Sequence, residues 1–187
     1  MPEEVILVDW KDRAKQRFGK TEAHQGGGKL HRGVSVFLVD SNGSFLIQKQ
    51  SQKKLLWPGF LSNSVSTHPT WKESTPEAAK RAVKDKLGIE SVELVEVFKF
   101  PYLARYGPSG SEFELVHVVI GSFDGQIRPS SEEIIEVRWL PPEQVELVME
   151  EGSEDFTPCF RLAFPIVRGY DIARRFRGDD YGTSLGA

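Results

Sequence analysis

Apolar and polar positions alternate in several short stretches of the chain, and this pattern predicts β-strands. The stretches 33–40 and 45–50 are rich in apolar and β-branched residues, and the sequence Ser-Asn-Gly-Ser between them is typical of a hairpin turn. Further strands are predicted at 5–10, 92–100, 112–123 and 134–140. Another short strand follows the WPGF turn at 57–60 and ends at residue 65. The segment 11–29 is polar and ends in three glycines at 26–28, and this glycine run predicts a loop.

The segment 75–87 has the strongest helical pattern. Ser74 and Glu77 have the spacing of a capping box, Pro76 suits a first helical turn, and apolar residues recur at helical intervals up to Gly88. A second helix is predicted to open at 141–143, and a longer one to run over 157–177. Strands around one central helix, with further helices late in the chain, predict an α+β (mixed α/β) fold. We expect one domain over 1–177 and a flexible C-terminal tail over 178–187.

The composition excludes several classes of function. The chain has 187 residues, with 24 Lys and Arg against 27 Asp and Glu, so no excess of charge favours nucleic acid or an anionic membrane. The single cysteine excludes an internal disulfide, and the N-terminal residues lack the pattern of a signal peptide. No apolar run approaches the roughly 20 residues of a membrane span. We therefore expect a cytoplasmic protein that acts on a small molecule, with no nucleic-acid and no membrane partner.

Histidines and glutamates in three distant segments form a candidate metal site. A single histidine is more often a surface or core residue, but two of these flank the glycine-rich loop, one follows a strand, and two glutamates two positions apart share one strand face. Three imidazoles and two carboxylates suit Zn, Mn, Fe or a hard divalent ion. The residues are His24, His31, His68, Glu112 and Glu114. His117 lies an odd number of positions from Glu114, so we expect it on the opposite face in a structural role.

The segments TEAHQ…KLHRGVSVFLVD, LLWPGFLSNSVSTHP and SEFELV resemble type I isopentenyl-diphosphate isomerases, which belong to the Nudix superfamily. The resemblance extends over about residues 3–165. It implies a Nudix fold, in which a central mixed β-sheet is sandwiched by helices, and a small-molecule diphosphate substrate. It also implies that the five residues of the candidate site are the ligands of a divalent metal (Zn, Mn or Mg), and that the diphosphate can carry a magnesium ion of its own.

The resemblance assigns the proton-transfer groups to two positions. Glu114 corresponds to the family's catalytic glutamate, and Ser66 stands where the family has a catalytic cysteine. A serine hydroxyl is several pKa units less acidic than a thiol, so Ser66 needs a neighbouring group to exchange protons well. The family's aromatic residue after Thr-Pro is also replaced, by Cys159, which offers no π face to a cation.

The diphosphate end of the predicted pocket also departs from the family. The resemblance implies four substrate contacts: Lys20, Lys54, Arg81, which lies one position from the family's arginine, and Tyr106, which lies near the family's tyrosine. Nudix hydrolases carry magnesium-binding glutamates late in the helix, where this chain has Asp85 and Lys86. A lysine does not bind magnesium at neutral pH, so we expect no magnesium on this helix alone. Lys86 either neutralises the diphosphate directly or is a solvated helix residue.

Three hypotheses of function follow. The first is an isomerase of isopentenyl and dimethylallyl diphosphate, with Glu114 and Ser66 as the proton-transfer residues. The second is a Nudix-type hydrolase of a nucleoside or other diphosphate, and the third is a catalytically inactive, metal-bound binding module. The first is favoured, because all five positions of the metal ligands match the family.

Overall fold

A computed structural model describes residues 4–170, which form a mixed β-sheet with helices packed on both faces. The strands are β1 (Glu4–Val8), β2 (Ala14–Gly19), β3 (His31–Val39), β4 (Phe45–Gln50), β5 (Leu61–Ser62), β6 (Val65–Thr67), β7 (Leu94–Arg105), β8 (Ser111–Ser122) and β9 (Ile134–Leu140). The helices are α1 (Lys20–His24), α2 (Thr75–Leu87), α3 (Pro142–Glu151) and α4 (Pro158–Val167), and 3₁₀ turns lie at Gly107–Ser109 and Ser153–Asp155. The predicted α+β class is confirmed.

Strand β3 organises the sheet, because it contacts strands from both halves of the described chain. It pairs antiparallel with β1, β4 and β6. It pairs parallel with β8, from His31 opposite Glu114 to Val39 opposite Ser122. Strand β8 continues antiparallel with β7, and β9 pairs with β4. The parallel register therefore places the start of β3 beside the start of β8.

Alternate side chains of β3 contact two different helices. Val36 and Leu38 pack against the buried alanines of α2. Phe37 and Val39 point to the other face and pack against α4, where the ring of Phe37 stacks on Phe160 with centroids 5.8 Å apart. Each fully buried side chain of this size contributes about 1.5–3 kcal/mol relative to an exposed one. The central sheet is therefore sandwiched by helices, as predicted.

Helix α2 begins and ends where the sequence predicts. The Ser74 hydroxyl accepts from the backbone N–H of Glu77, and the Glu77 carboxylate accepts from the backbone N–H of Ser74 at 2.8 Å. Such a cap contributes about 1 kcal/mol. Gly88 ends the helix at φ 67°, in the left-handed region that favours glycine.

The structure adds two elements that the sequence did not predict and corrects one predicted strand. The loop expected at the three glycines is present, but the part of segment 11–29 that precedes it contains β2 and α1. Strand β2 lies at the sheet edge with mostly exposed side chains, so it lacks the apolar alternation by which strands are recognised. The strand expected as far as residue 65 is divided into β5 and β6, since the side chain of Asn63 turns inward and donates to the backbone carbonyls of Val36 and Val65.

The last predicted helix is shorter than expected. Helix α4 ends at Val167, and a turn follows at residues 168 and 169. The remainder of the predicted helix 157–177 beyond residue 170, and the predicted tail 178–187, lie outside the described residues. Among residues 4–170, no helix is long and apolar enough to cross a membrane.

Candidate active site

Four segments of the fold bring three histidines and one glutamate together. His24 is the last residue of α1, His31 the first of β3, and His68 directly follows β6, whereas Glu114 lies in β8. The β3–β8 register sets His31 opposite Glu114, and the pairing of β6 with β3 carries His68 to the same end of the sheet. One potential ligand atom from each residue lies within 4.8 Å of the others. We call these four residues the His/Glu cluster.

The imidazole Nε2 atoms of the cluster surround one carboxylate oxygen. The distances to Glu114 Oε1 are 3.8 Å from His24, 3.4 Å from His31 and 3.1 Å from His68. The Nε2 atoms of His31 and His68 are 3.2 Å apart. Convergence of several nitrogen lone pairs and a carboxylate oxygen on one point is favourable when a cation lies between them. This donor set fits a divalent metal ion.

Backbone carbonyl groups fix the orientation of two of the imidazoles. His24 Nδ1 lies 2.7 Å from the carbonyl oxygen of Lys20, and His31 Nδ1 lies 2.7 Å from that of Lys29. A carbonyl oxygen only accepts, so each Nδ1 carries the proton and donates it. The Nε2 lone pairs are then directed at the centre of the cluster, which is the usual arrangement of metal-binding histidines.

Burial and mutual contacts set the charges of the cluster. Burial lowers the pKa of His68 to about 3, so its imidazole is neutral at physiological pH. Burial raises the pKa of Glu114, but contacts with the three histidines outweigh burial and hold this pKa well below its usual range. For His24, burial lowers the pKa, but contacts with Glu114 and with the Lys20 carbonyl and the charge of Glu112 together raise it by more. The neutral His68 and the ionised Glu114 are already in the forms that bind metal.

Glu112 lies beside the His/Glu cluster, on the same face of β8 as Glu114. Its Oε2 atom accepts from the Tyr102 hydroxyl at 2.7 Å, and that hydroxyl lies 3.5 Å from Glu114 Oε2. Burial, followed by repulsion from Glu114, raises the pKa of Glu112 to about 7. Near neutral pH, Glu112 is therefore partly protonated and only its ionised form can bind a metal, so its role as a fifth ligand stays a prediction.

Ser66, the predicted proton-transfer residue, is held by a neighbouring asparagine. Asn63 Nδ2 donates to Ser66 Oγ, and Ser66 Oγ donates to Asn63 Oδ1, both at 3.2 Å. Ser35 Oγ lies 3.4 Å from Ser66 Oγ and also 3.4 Å from Cys159 Sγ. The one thiol of the chain is therefore linked to Ser66 through a single hydroxyl. Burial raises the pKa of the Cys159 thiol, which keeps it neutral.

A cavity of about 620 Å³ joins the His/Glu cluster to a cationic region. This volume is typical of a small-molecule site. Its lining contains His24, His68, Glu112, Glu114, Ser66, Cys159 and the cationic side chains of Lys20, Lys54, Arg81 and Lys86. Tyr106, a predicted substrate contact, is not among the lining residues and instead contacts Trp57, with ring centroids 4.7 Å apart. The tyrosine that lines the cavity is Tyr102.

Carboxylates and carbonyls hold the cations of the cavity. Arg81 donates to both carboxylate oxygens of Glu73, at 2.8 and 2.9 Å, and to the backbone carbonyl of His68 at 3.0 Å. Arg81 thus braces the loop that carries a candidate metal ligand. Lys54 and Lys86 both contact the carboxylate of Glu133, which precedes β9.

Sequence reasoning missed several of these contacts. Asn63 could have been found, because it lies three positions before Ser66 within the segment that carries the family resemblance. Glu133 offered no signal, since its place depends on the long-range pairing of β4 with β9. His117 lies outside the His/Glu cluster, as expected, and its ring contacts Glu96 and Asp12, while its structural role stays a prediction.

Comparisons with known proteins concern the domain and the family of the chain. The model of the NUDIX domain matches residues 29–160, so the architecture is that of a Nudix domain. The isopentenyl-diphosphate Delta-isomerase of Serratia proteamaculans is 37% identical over 160 residues, which cover 86% of this chain and 88% of that protein. The enzyme of the same name from Burkholderia multivorans is 36% identical over 161 residues, with coverage of 86% and 90%. The chain belongs to the type I isopentenyl-diphosphate Delta-isomerase family.

Solved structures support the fold. The protein DR0079 from Deinococcus radiodurans superposes with a TM-score of 0.66, at 22% identity, over 80% of this chain and 90% of that one. A MutT protein from Methanosarcina mazei superposes with a TM-score of 0.56, at 17% identity, over 74% and 92%. At these identities the likeness concerns the fold alone.

Proposed function

We propose that the protein interconverts isopentenyl diphosphate and dimethylallyl diphosphate, with a divalent metal bound to the His/Glu cluster. One observation carries this proposal: the same cavity is lined by His24, His68 and Glu114 of the His/Glu cluster, by Ser66 and by a group of cations. Such a cavity suits a short reactive chain that ends in a diphosphate. The names of the relatives support the same substrate.

The reaction requires one proton to be added and another to be removed. Addition of a proton to the terminal alkene carbon uses the π electrons of the double bond and leaves a tertiary cation at C3. Removal of a proton from C2 then forms the double bond between C2 and C3. We assign these transfers to Glu114 and Ser66, because both line the cavity and both have side chains fixed by hydrogen bonds.

The His/Glu cluster would hold the metal through His24, His31, His68 and Glu114, with Glu112 as a fifth ligand once it has lost its proton. A divalent ion there supplies positive charge that fixes the carboxylate of Glu114 and tunes its affinity for a proton. Because three of the donors are imidazoles, we propose Zn or Mn in preference to Mg. The cytoplasmic location, and the absence of nucleic-acid and membrane partners, stay predictions.

Substrate assays test this proposal directly. Protein loaded separately with Zn, Mn or Mg is incubated with isopentenyl diphosphate, and the allylic product is measured by its lability in acid. The same preparations are incubated with a panel of nucleoside diphosphates and triphosphates, and released phosphate is measured. We expect allylic product from the wild type and from Glu132→Gln, and formation about 10²–10⁴ times slower from Glu114→Gln. Phosphate release without allylic product would replace the isomerase with the hydrolase hypothesis, and neither product would indicate the inactive binding module.

A further inference from the structure

Two ammonium groups in the cavity share one carboxylate oxygen. Lys54, in the segment between β4 and β5, and Lys86, in the last turn of α2, both contact Oε2 of Glu133; the Lys86 distance is 3.2 Å. All three residues line the cavity. Lys86 also donates to the backbone carbonyl of Ser66 at 2.9 Å, which places its ammonium next to the strand that carries the predicted proton-transfer residue.

This group is protected from solvent, unlike the neighbouring ion pair. The side chains of Lys86, Lys54 and Glu133 are 20%, 27% and 33% exposed. The adjacent pair of Lys53 and Glu132 is 67% and 74% exposed and is absent from the cavity lining. Lys86 is therefore not a solvated helix residue, and Lys53 and Glu132 provide a matched control.

The side chains of α2 do not fit the magnesium ion that Nudix hydrolases bind there. Magnesium requires near-octahedral oxygen ligands. Lys86 places an ammonium in this part of the cavity, where the hydrolase pattern has a carboxylate, and Asp85 is the only acidic residue in the last turn of α2. Glu73 and Glu133 are already bound to Arg81 and to the two lysines. An ion at this place would have to approach a fixed positive charge.

We propose that the ammonium group of Lys86 takes the part of the magnesium ion in substrate binding. The diphosphate then contacts Lys86 and Lys54 directly, and it displaces the carboxylate of Glu133 from both lysines. In the free protein, Glu133 occupies the place of the anion and neutralises the two lysines. An entering diphosphate carries more charge and more acceptor oxygens than one carboxylate, so it competes effectively for both. This inference rests on the proposed function only for the identity of the anion.

The balance of charge at the group supports the exchange. Burial, followed by repulsion from Lys54, lowers the pKa of Lys86 to about 8. Burial raises the pKa of Glu133, but Lys86 and Lys54 lower it by more, to about 2. One carboxylate therefore compensates two ammonium groups incompletely, and a second negative charge stabilises both of them.

Calorimetric titration with inorganic pyrophosphate tests the inference without turnover. Metal-loaded protein is freed of excess ion and titrated in magnesium-free buffer and again with millimolar magnesium, and the metal content is measured afterwards. We expect the wild type to bind pyrophosphate without magnesium. Lys86→Met should weaken binding about tenfold or more, and Glu133→Gln should strengthen it about threefold, whereas Lys53→Met and Glu132→Gln change it less than about twofold. Lys86→Glu should bind only when magnesium is present.

Two results would overturn the inference: wild-type binding that appears only with magnesium, or Lys86→Met binding as tightly as Lys53→Met. If Lys86→Met unfolds below the assay temperature, the pyrophosphate affinities of Glu133→Gln and Glu132→Gln are compared instead, because both of these variants retain every lysine. Equal affinities in these two variants would also overturn the inference. The inference and the proposed function fail separately. Magnesium-independent pyrophosphate binding without isomerase activity rejects only the function, and isomerase activity with magnesium-dependent pyrophosphate binding rejects only the inference.

Discussion

The two ends of the cavity hold their charged groups in different ways. At the His/Glu cluster, the register of β3 with β8 and two backbone carbonyls fix the ligands. At the cationic end, long side chains from α2 and from loops meet in ion pairs. A lysine can change partner without any movement of the backbone, whereas an imidazole in the cluster cannot. The family resemblance implies the same division, with departures from the family pattern at the cationic end and none at the five predicted metal ligands.

The largest expected effect lies at the His/Glu cluster. Glu114→Gln removes both a proton carrier and the carboxylate around which three histidines converge. We expect kcat on isopentenyl diphosphate to fall by about 10²–10⁴, the usual range for loss of an acid–base group, together with weaker metal binding. Steady-state kinetics and metal analysis measure the two effects. If Glu114→Gln retains wild-type kcat while Glu132→Gln does the same, Glu114 has no part in the chemistry.

The next largest effect concerns Ser66. The weak acidity of its hydroxyl limits proton transfer, so Ser66→Cys should raise isomerase activity about tenfold, which corresponds to about 1.4 kcal/mol of barrier. Because Ser66 is assigned a proton transfer, Ser66→Ala should lower the activity, whereas little change in Ser66→Ala would show that Ser66 does not carry the proton. Ser35→Cys is the control, because it places a thiol one contact away. A gain in Ser35→Cys equal to that in Ser66→Cys would show that the position of the thiol is unimportant.

Metal affinity at the His/Glu cluster and pyrophosphate affinity at the cationic end should depend on pH in opposite directions. Metal affinity should rise with pH. Glu112 has a pKa of about 7 and binds metal only as a carboxylate. Below pH 7 protons compete with the metal, so affinity should rise with pH by about tenfold per unit for each proton released and level off above pH 7. Competition with a fluorescent chelator measures it. Glu112→Gln should flatten the curve, and an unchanged slope would exclude Glu112 as a ligand.

A smaller pH effect of opposite sign is expected at the cationic end. Lys86 loses its proton above pH of about 8, so pyrophosphate binding to the wild type should weaken as pH rises from 8 to 10. An arginine stays charged over this range. Titration calorimetry of Lys86→Arg should show a shallower decline. Parallel curves for Lys86→Arg and the wild type would mean that another group causes the decline.

Local patterns in the sequence predicted most of the fold. The helix 75–87 was placed correctly at both ends, because a capping box and a glycine mark them. Strand β2 was missed, because an exposed edge strand has no apolar face to recognise. The residues of the His/Glu cluster were proposed from residue type and spacing and supported by the family resemblance, and the β3–β8 register brings His31 and Glu114 together. The ion pair of Lys86 with Glu133 could not be predicted, because it joins side chains from elements that are remote in sequence.

The His/Glu cluster joins His24 to Glu114, two residues that are separated by most of the described chain. An ion that binds these residues only in the folded chain would stabilise the folded state by its binding free energy, because the unfolded chain does not hold the ligands together. Loss of one histidine would then lower the free energy of unfolding in the presence of metal as well as the activity. The thermal stability of the protein should therefore increase with metal concentration.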